Sequence, residues 1–396
     1  MRPSGGVFML VPLTEQQRAV VELARQFAEE EIAPHAARWD REALFDRGVA
    51  DSLGALGFLG MMIPEEWDGL GLDTVTYLMA LEEIAVADAS TAVLMSVHNS
   101  LPTQMLLNFG TTEQKERFLR PMARGEKIGA FALSEPEAGS DASSLTCRAE
   151  RDGDDWVLTG TKSWVTTGSH ADVIIVIARS TPMADAHKSR GISAFIVTPD
   201  LPGFHVGKKE DKMGLRASPT VQLNFDGMRV PGANLLGQEG QGFVYAMRSL
   251  DHGRLGIAAQ ALGIGRAALE HSLDYAAQRT QFGRPIRDFQ AIQFKLADMG
   301  ARIASTRALL HATAANKDRG ETTTLYGSMS KLLASETAMW ATQQAVQIFG
   351  GYGYVKDYPV ERFFRDAKIT EIYEGTSEVQ RIVIARELFA ERAGDG

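Results

Sequence analysis

The sequence predicts a multi-domain chain of α and β parts. These are an N-terminal α-helical domain over residues 1–127, a middle antiparallel β-barrel or sandwich domain over 128–238, and a C-terminal four-helix bundle over 239–396. Three observations carry this expectation. The length, 396 residues, exceeds what a single compact core organises. The apolar period is helical over the first third, changes near residue 128 to short runs rich in Val, Ile, Thr and aromatics, and turns helical again from about Gly240. The composition, 44% hydrophobic and 23% charged with 38 Gly and 14 Pro, is that of a globular chain and excludes wholesale disorder, collagen and coiled-coil rods.

Taken in order, LTEQQRAVVELARQFAEEEIAP repeats Val20, Leu23, Ala24, Phe27 and Ala28 at helical spacing, with Thr14 as candidate N-cap and Pro34 as the expected stop. Gly and Pro clusters such as PEEWDGLG (64–71) break the helical segments that follow. TTEQKERFLRPMARG reads as a further helix, capped by Thr111 or Thr112 and ended by Gly125. The strand candidates are IGAFALSEP, WVLTGTKSWVTTG, ADVIIVIARS, ISAFIVTPD and TVQLNFDGMRVP, separated by Gly, Pro and Asp turns. In the last third, Phe289, Ile292, Leu296, Met299, Ile303, Thr306 and Leu310 step by three and four along one core-facing stripe. Similar stripes run through 254–276, 328–349 and 376–390, and four long helices with short connections form an antiparallel bundle.

Composition also limits function. With 41 basic against 50 acidic residues, the net charge of −9 gives no electrostatic reason to bind nucleic acid or anionic membrane, although a local basic patch can still hold a phosphorylated ligand. The longest strand-like apolar run, Val173 to Ala178, falls far short of the roughly 18–20 residues of a membrane span. The single cysteine, Cys147, leaves no internal disulfide and no thiolate zinc cluster, suits a reducing compartment, and reads as a structural thiol. The opening residues, MRPSGGVFML, show neither a secretory apolar core nor the arginines of a transit peptide, so a cytoplasmic location is expected; no function is assigned to the residues before Leu13. Eight scattered histidines without HExxH or another ligand pair argue for no metal. No G-x-S-x-G elbow and no P-loop occur, and Gly263-Ile-Gly265 lies inside a helical stripe, where its glycines serve close helix packing rather than a dinucleotide.

Three segments ask for more than a structural role. In FALSEPEAGSD (131–141) a strand ends at Ser134 and enters a Pro/Gly/Ser loop whose N–H groups and hydroxyls can cradle a phosphate or a heteroaromatic edge. In QIFGGYGY (347–354) a helix C-cap accounts for one glycine; a close approach of backbone to ligand would account for the second. In EIYEGTSEVQR (371–381) Thr376 or Ser377 can cap the last helix, with Glu378 in its first turn. Glu374 is not needed for that cap; a lone loop glutamate is ordinarily solvated, yet at this loop-to-helix junction it can also point into a cleft.

These segments, together with GTKSWVTTG, GISAFIVTPDLPGFHVGKKEDKMGLRAS, LDHGRLGIAAQALG, QRTQFGRPI and QAIQFKLADM, resemble the acyl-CoA dehydrogenase family over nearly the whole chain. The likeness is nearest to the short-chain, butyryl-CoA branch, notably in GKKEDKMGLR and LDHGRLGIA. The resemblance implies FAD held between the β domain and the C-terminal bundle, with Glu374 at the position of the catalytic base. Some branches carry that base one residue before the arginine of LDHGR; here that position is Gly253, so no second carboxylate competes. Phe131, Leu133, Ser134, Gly139 and Ser140 match the flavin loop, Ser134 toward the N5 edge and Ser140 toward the cofactor phosphates and thioester ligand. Trp164 and Thr166 match residues against the ring, Trp164 shielding one face. Arg279, Gln281, Phe282, Gln290, Gln347, Gly350 and Gly351 match groups gripping the adenine diphosphate end, supplied in the family by a neighbouring subunit. Thr376 and Glu378 match cofactor contacts at the start of the last helix, while Ser140, Ser189, Asp251, Arg254, Tyr373 and Gly375 match acyl-CoA contacts.

The implied reaction is α,β-dehydrogenation of a saturated acyl-CoA to the trans-2-enoyl-CoA, with Glu374 taking the α-proton and flavin N5 the β-hydride. An electron-transfer flavoprotein is the implied acceptor and a homo-oligomer, a tetramer in the family, the implied assembly. The α C–H is a very weak acid, so the scheme needs hydrogen bonds to the thioester oxygen, each typically worth about 2.7–4 kcal/mol, and a carboxylate whose pKa burial raises above about 4.3. Alternative readings are an isobutyryl- or 2-methylbutyryl-type branched-chain dehydrogenase, a nitroalkane or acyl-CoA oxidase, and a catalytically silent flavoprotein that binds acyl-CoA. SVHNS (96–100) is expected near the closed end of the acyl pocket.

Overall fold

The structure, a computed structural model, describes residues 12–182 and 188–394; the segment before Leu13 lies outside them except for Pro12. The first part is helical: α1 (Glu15–Phe27), α2 (Ala33–Glu42), α3 (Arg47–Ala55), α4 (Thr74–Ala87), α5 (Ala89–Ser100), α6 (Pro102–Phe109), α7 (Thr112–Gln114) and α8 (Arg120–Ala123). Thr14 caps α1 in a reciprocal box with Gln17, and Thr111, rather than Thr112, does the same with Gln114. Pro34 is not a stop. A π-turn over Ala28–Ile32 carries α1 into α2, and Pro34 falls in the first turn of α2, where a missing N–H costs nothing. Both α4 and α5 are buried almost all round, so they form the centre of this part rather than its surface.

The middle part is a sheet of β1 (Gly129–Ala132), β2 (Arg148–Asp152), β3 (Asp155–Thr166), β4 (Val173–Arg179), β5 (Ile192–Val197), β6 (Phe204–Lys209), β7 (Thr220–Val230) and β8 (Leu235–Leu236). The strand order is β6-β7-β3-β2-β4-β5-β8, with β1 beside β4. The expectation of a purely antiparallel domain is corrected at two pairings, since β1 and β2 both meet β4 in parallel. Long connections permit this: the chain leaves β1, passes through the Ser134–Ser140 loop and the β2–β3 hairpin, and returns to β4 in the same direction. Sequence inspection passes over β2 and β6 because they are polar and largely exposed, without the apolar runs of β4 and β5.

The last part comprises α9 (Gly242–Gln278), a hairpin of β9 (Thr280–Gln281) and β10 (Arg284–Pro285), α10 (Gln290–Asp318), α11 (Thr324–Phe349), the short α12 (Val360–Ile369) and α13 (Ser377–Ala393). On the α10 stripe Met299, Ile303, Thr306 and Leu310 are buried, while Phe289, Ile292 and Leu296 are partly so. One apolar cluster joins α1, α4 and α5 to α9, α10, α11 and α12, so the two helical parts share a core. A buried ionic network braces the same junction. Glu83 receives Arg25 and Arg266, Glu82 receives Arg266 and Arg307, and although burial opposes the charge, the guanidinium groups hold Glu83 down at about 2. No helix among the described residues is long and apolar enough to cross a membrane.

Gly263 sets how closely α9 approaches α4. A Cβ there would lie 2.5 Å from the Ala85 Cβ and 2.7 Å from the Glu82 carbonyl oxygen, whereas at Gly265 the nearest atom, Ala338 Cα, is 3.5 Å away. Gly263→Ala is therefore expected to destabilise the protein by about 1–3 kcal/mol through overpacking. Gly265→Ala should stay within about 1 kcal/mol of the parent. Denaturant midpoints of the two variants, compared at unchanged slope, check this.

Candidate active site

The loop between α12 and α13 carries the carboxylate singled out above. Glu374 and Gly375 both adopt left-handed backbone, at φ 51° and 93°, and Thr376 then caps α13 by accepting from the Val379 N–H at 3.3 Å. A non-glycine residue in that region costs roughly 1–3 kcal/mol, so the turn persists because its surroundings hold it. It aims the side chain at α9: a Cβ built on Gly253 would sit 2.2 Å from Glu374 Oε2 and 3.0 Å from its Cδ. Both carboxylate oxygens are buried and neither has a hydrogen-bond partner. A loop glutamate is ordinarily solvated, and this one is not. Burial pushes its carboxyl up to about 7, with Lys331 and Arg254 pulling the other way.

Of the other expected acyl-CoA contacts, Tyr373, Asp251 and Arg254 lie around this point, while Ser140 and Ser189 do not. Tyr373 packs against the shared core and its hydroxyl donates to Gln260 Oε1 on α9. Arg254 Nη1 donates to Asp251 Oδ1 at 2.6 Å and to Ser328 Oγ at 3.2 Å, and the other Asp251 oxygen accepts from Thr324 Oγ1 at 3.2 Å. One further turn along α9, a Cβ on Gly256 would lie 2.4 Å from Ser96 Oγ and 3.4 Å from the Tyr77 hydroxyl. SVHNS thus reaches the active-site side of α9 through Ser96. His98 and Asn99 face away into structural bonds: His98 Nδ1 accepts from the Gly129 N–H at 3.1 Å, and Asn99 Nδ2 donates to the Phe58 and Met95 carbonyls.

The flavin-loop residues lie where β1 leaves the sheet. Phe131 and Leu133 pack into apolar clusters, and the Ser134 carbonyl accepts from the Ser163 N–H at 2.9 Å, which ties the loop to β3. Ser163 Oγ is buried without a partner. Next to it Trp164 has φ 62° and is 61% exposed, so its ring stands off the sheet, and Thr166 ends the same strand. Gly139 and Ser140 are exposed, with open space around the Gly139 Cα. Ser189 sits on an exposed turn that Arg179 fastens to this loop, donating to the carbonyls of Lys188 (3.0 Å) and Ser143 (2.8 Å).

The residues expected at the adenine end gather elsewhere. Arg279, Gln281, Gly350 and Gly351 line a cavity of about 520 Å³ together with Tyr275 and Tyr352. Gly350 is the C-cap of α11 at a positive φ (62°), Gly351 faces open space, and Gly353 rather than Gly351 is the glycine that packs closely, 2.4 Å from the Val346 carbonyl oxygen at its notional Cβ. Phe282, 93% exposed at φ 51°, projects from the hairpin tip, and Gln290 and Gln347 are exposed on α10 and α11. Neither Glu374 nor any flavin-loop residue lines this cavity, so the chain by itself holds the two groups apart.

Comparison with known proteins decides the family. The acyl-CoA dehydrogenase N-terminal, middle and C-terminal domain models match residues 14–126, 130–228 and 240–389. The mitochondrial short-chain specific acyl-CoA dehydrogenase of Mus musculus is 49% identical over 382 residues, covering 96% of this chain and 92% of its own. This chain belongs to the acyl-CoA dehydrogenase family. Among solved structures, butyryl-CoA dehydrogenase from Megasphaera elsdenii superposes with a TM-score of 0.93 at 44% identity, covering 96% of this chain and 100% of that one. A chain in a structure of the electron transferring flavoprotein of Acidaminococcus fermentans matches with a TM-score of 0.93 at 46% identity, over 96% of this chain and 99% of that one. As in other acyl-CoA dehydrogenases, the helical, sheet and helical domains follow one another along the chain, and FAD is the cofactor.

Two charged groups escape sequence inspection. Lys162, on the buried side of β3, donates to the Leu133 carbonyl at 2.8 Å and to Glu135 Oε1 at 2.7 Å, while Glu135 also accepts from the N–H groups of Thr146 and Cys147. Burial works against the Glu135 charge, but Lys162 prevails and holds the carboxyl below its usual range. Beneath it Cys147 is a buried structural thiol, pushed up to about 11 by burial. The other is Lys331 on α11. Its signal is present in the sequence, since Ser328, Lys331, Ser335, Ala338 and Thr342 step by three and four with a lysine on the core face, and all five are buried.

Proposed function

We propose that this acyl-CoA dehydrogenase acts on short- and medium-chain acyl-CoA thioesters, butyryl-CoA foremost, with Glu374 as the base that takes the α-proton. The observation that carries the reading is the Glu374 carboxylate: buried, without a hydrogen-bond partner, and raised to about 7, it stands in the shared space between α9 and the last loop. A carboxylate solvated at its ordinary pKa is too weak a base for an α C–H, whereas one near neutrality, kept from water, is matched to the task.

The residues at the β1 and β3 ends fit a flat cofactor. Ser163 Oγ is buried and unpaired, the space beside Gly139 is open, and Trp164 presents its ring from a left-handed residue. FAD bound there supplies the acceptor for the β-hydrogen that leaves as hydride. Ser134 and Ser140 would offer hydroxyls to its ring edge and phosphates. Trp164 would cover one ring face, and Thr376 and Glu378 would meet it from the start of α13. Asp251, Arg254, Ser189 and Tyr373 would orient the acyl-CoA, so that Cα lies against Glu374 and Cβ on the opposite side. The separation of the Arg279–Gly351 cavity from the flavin loop supports a homo-oligomer, a tetramer, in which each chain's adenine-end group serves its neighbour. An electron-transfer flavoprotein is the proposed acceptor, and the likeness to a chain in a structure of an electron transferring flavoprotein supports it. A cytoplasmic location is part of the same proposal.

Anaerobic mixing of the FAD-loaded protein with butyryl-CoA tests this. The flavin absorbance should bleach at a rate that rises roughly tenfold per pH unit while Glu374 is protonated and levels off above about 7, because only the carboxylate can take the proton. Absence of bleaching on both sides of that pH, with FAD still bound, overturns the reading.

A further inference from the structure

Lys331 takes no part in the chemistry proposed above, yet it is 0% exposed in the middle of α11. An ammonium is expensive to bury unless it is paired and hydrogen-bonded. Its Nζ donates to the Gly375 carbonyl at 2.7 Å, on the residue that follows Glu374. Gln380, from α13, donates to the same carbonyl at 3.0 Å and to that of Glu374 at 3.2 Å. Two donors from two helices thus grip a turn whose consecutive residues are both left-handed.

The charges around this point come from every packed element. The loop contributes Glu374 and Glu371, α13 contributes Glu378, and α9 contributes Arg254, itself bonded to Asp251. The phenols Tyr77 of α4 and Tyr373 of the loop also face the carboxylate. Glu378 is exposed, Glu371 lies beside Lys368 at 2.6 Å, and Arg254 is engaged with Asp251 and Ser328. The buried acid that Lys331 is left to face is Glu374, whose oxygens accept no hydrogen bond.

We propose that Lys331 is a positioning residue for the base: it fixes the Glu374–Gly375 turn through the Gly375 carbonyl and supplies the positive charge that the unpartnered carboxylate faces. This rests on the reading of Glu374 as the base. Removing the charge makes the carboxylate harder to ionise, so the acid limb of kcat/KM must move to higher pH.

Two variants separate the pin from the charge. Lys331→Gln keeps a donor for Gly375 without the charge; Lys331→Met removes both. With butyryl-CoA, the acid limb of kcat/KM for the Gln variant is expected to rise by about one pH unit or more, with its high-pH plateau largely kept. The Met variant should show the same rise together with a lower plateau. FAD content and thermal midpoint identify a variant that has not folded, and if the Met variant fails there, the Gln variant alone decides. An acid limb that coincides with the parent's in the folded variants overturns the proposal, while a parent that is not reduced by butyryl-CoA overturns the proposed function on which it rests instead.

Discussion

Glu374→Gln is expected to hold FAD and acyl-CoA as the parent does and to lose flavin reduction by about 10⁴-fold, the upper range for a positioned general base. The change is nearly isosteric, so the left-handed turn gripped by Lys331 and Gln380 is kept. It also removes a buried acid that accepts no hydrogen bond, so stability should not fall and can rise. The amide cannot take a proton from carbon, and the large effect belongs to the chemical step alone. Single-turnover reduction by butyryl-CoA, read beside equilibrium binding of the product enoyl-CoA, separates the two. Reduction at a rate near the parent's would remove Glu374 from the mechanism.

Gly253→Ala carries the second large effect, although it touches no substrate group in the present reading. The residue lies inside α9, where alanine favours the helix by roughly 1 kcal/mol over glycine. Its methyl would fall 2.2 Å from Glu374 Oε2, a contact no structure tolerates, and the carboxylate, as the far end of a flexible side chain, must give way. A base displaced by about an ångström costs on the order of 100-fold in rate. The expected result is an enzyme at least as stable as the parent, with FAD bound, and with kcat reduced by about that factor. An unchanged kcat would mean that the carboxylate reaches the α-proton from somewhere other than the position seen here.

How much of this was legible in advance differs by element. Thr14 was readable as a cap, and the second cap was readable as Thr111 or Thr112, because a cap acts within three residues; the α10 stripe was readable because 3.6-residue periodicity is a local property. Pro34 misled because a π-turn with its proline in the next first turn writes the same letters as a helix stop. The parallel pairings of β1 and β2 with β4 were hidden because direction depends on how a long connection returns, which no local pattern records. At the site, Glu374 was visible through its motif, while Lys331 stood unremarked on the core face of a helix that otherwise looked ordinary.

The amino-acid order by itself determined the α, β, α succession and the caps, because periodicity and capping are written along the chain, and the resemblance of its motifs implied the family with its FAD and acyl-CoA chemistry. The tertiary structure alone decided that the Glu374 carboxylate is buried rather than solvated, that Gly253 leaves room for it, and that a buried ammonium from α11 holds the Gly375 carbonyl beside it. Burial and electrostatic field arise between residues far apart in sequence, and they exist only once α9, α11 and the final loop have packed together.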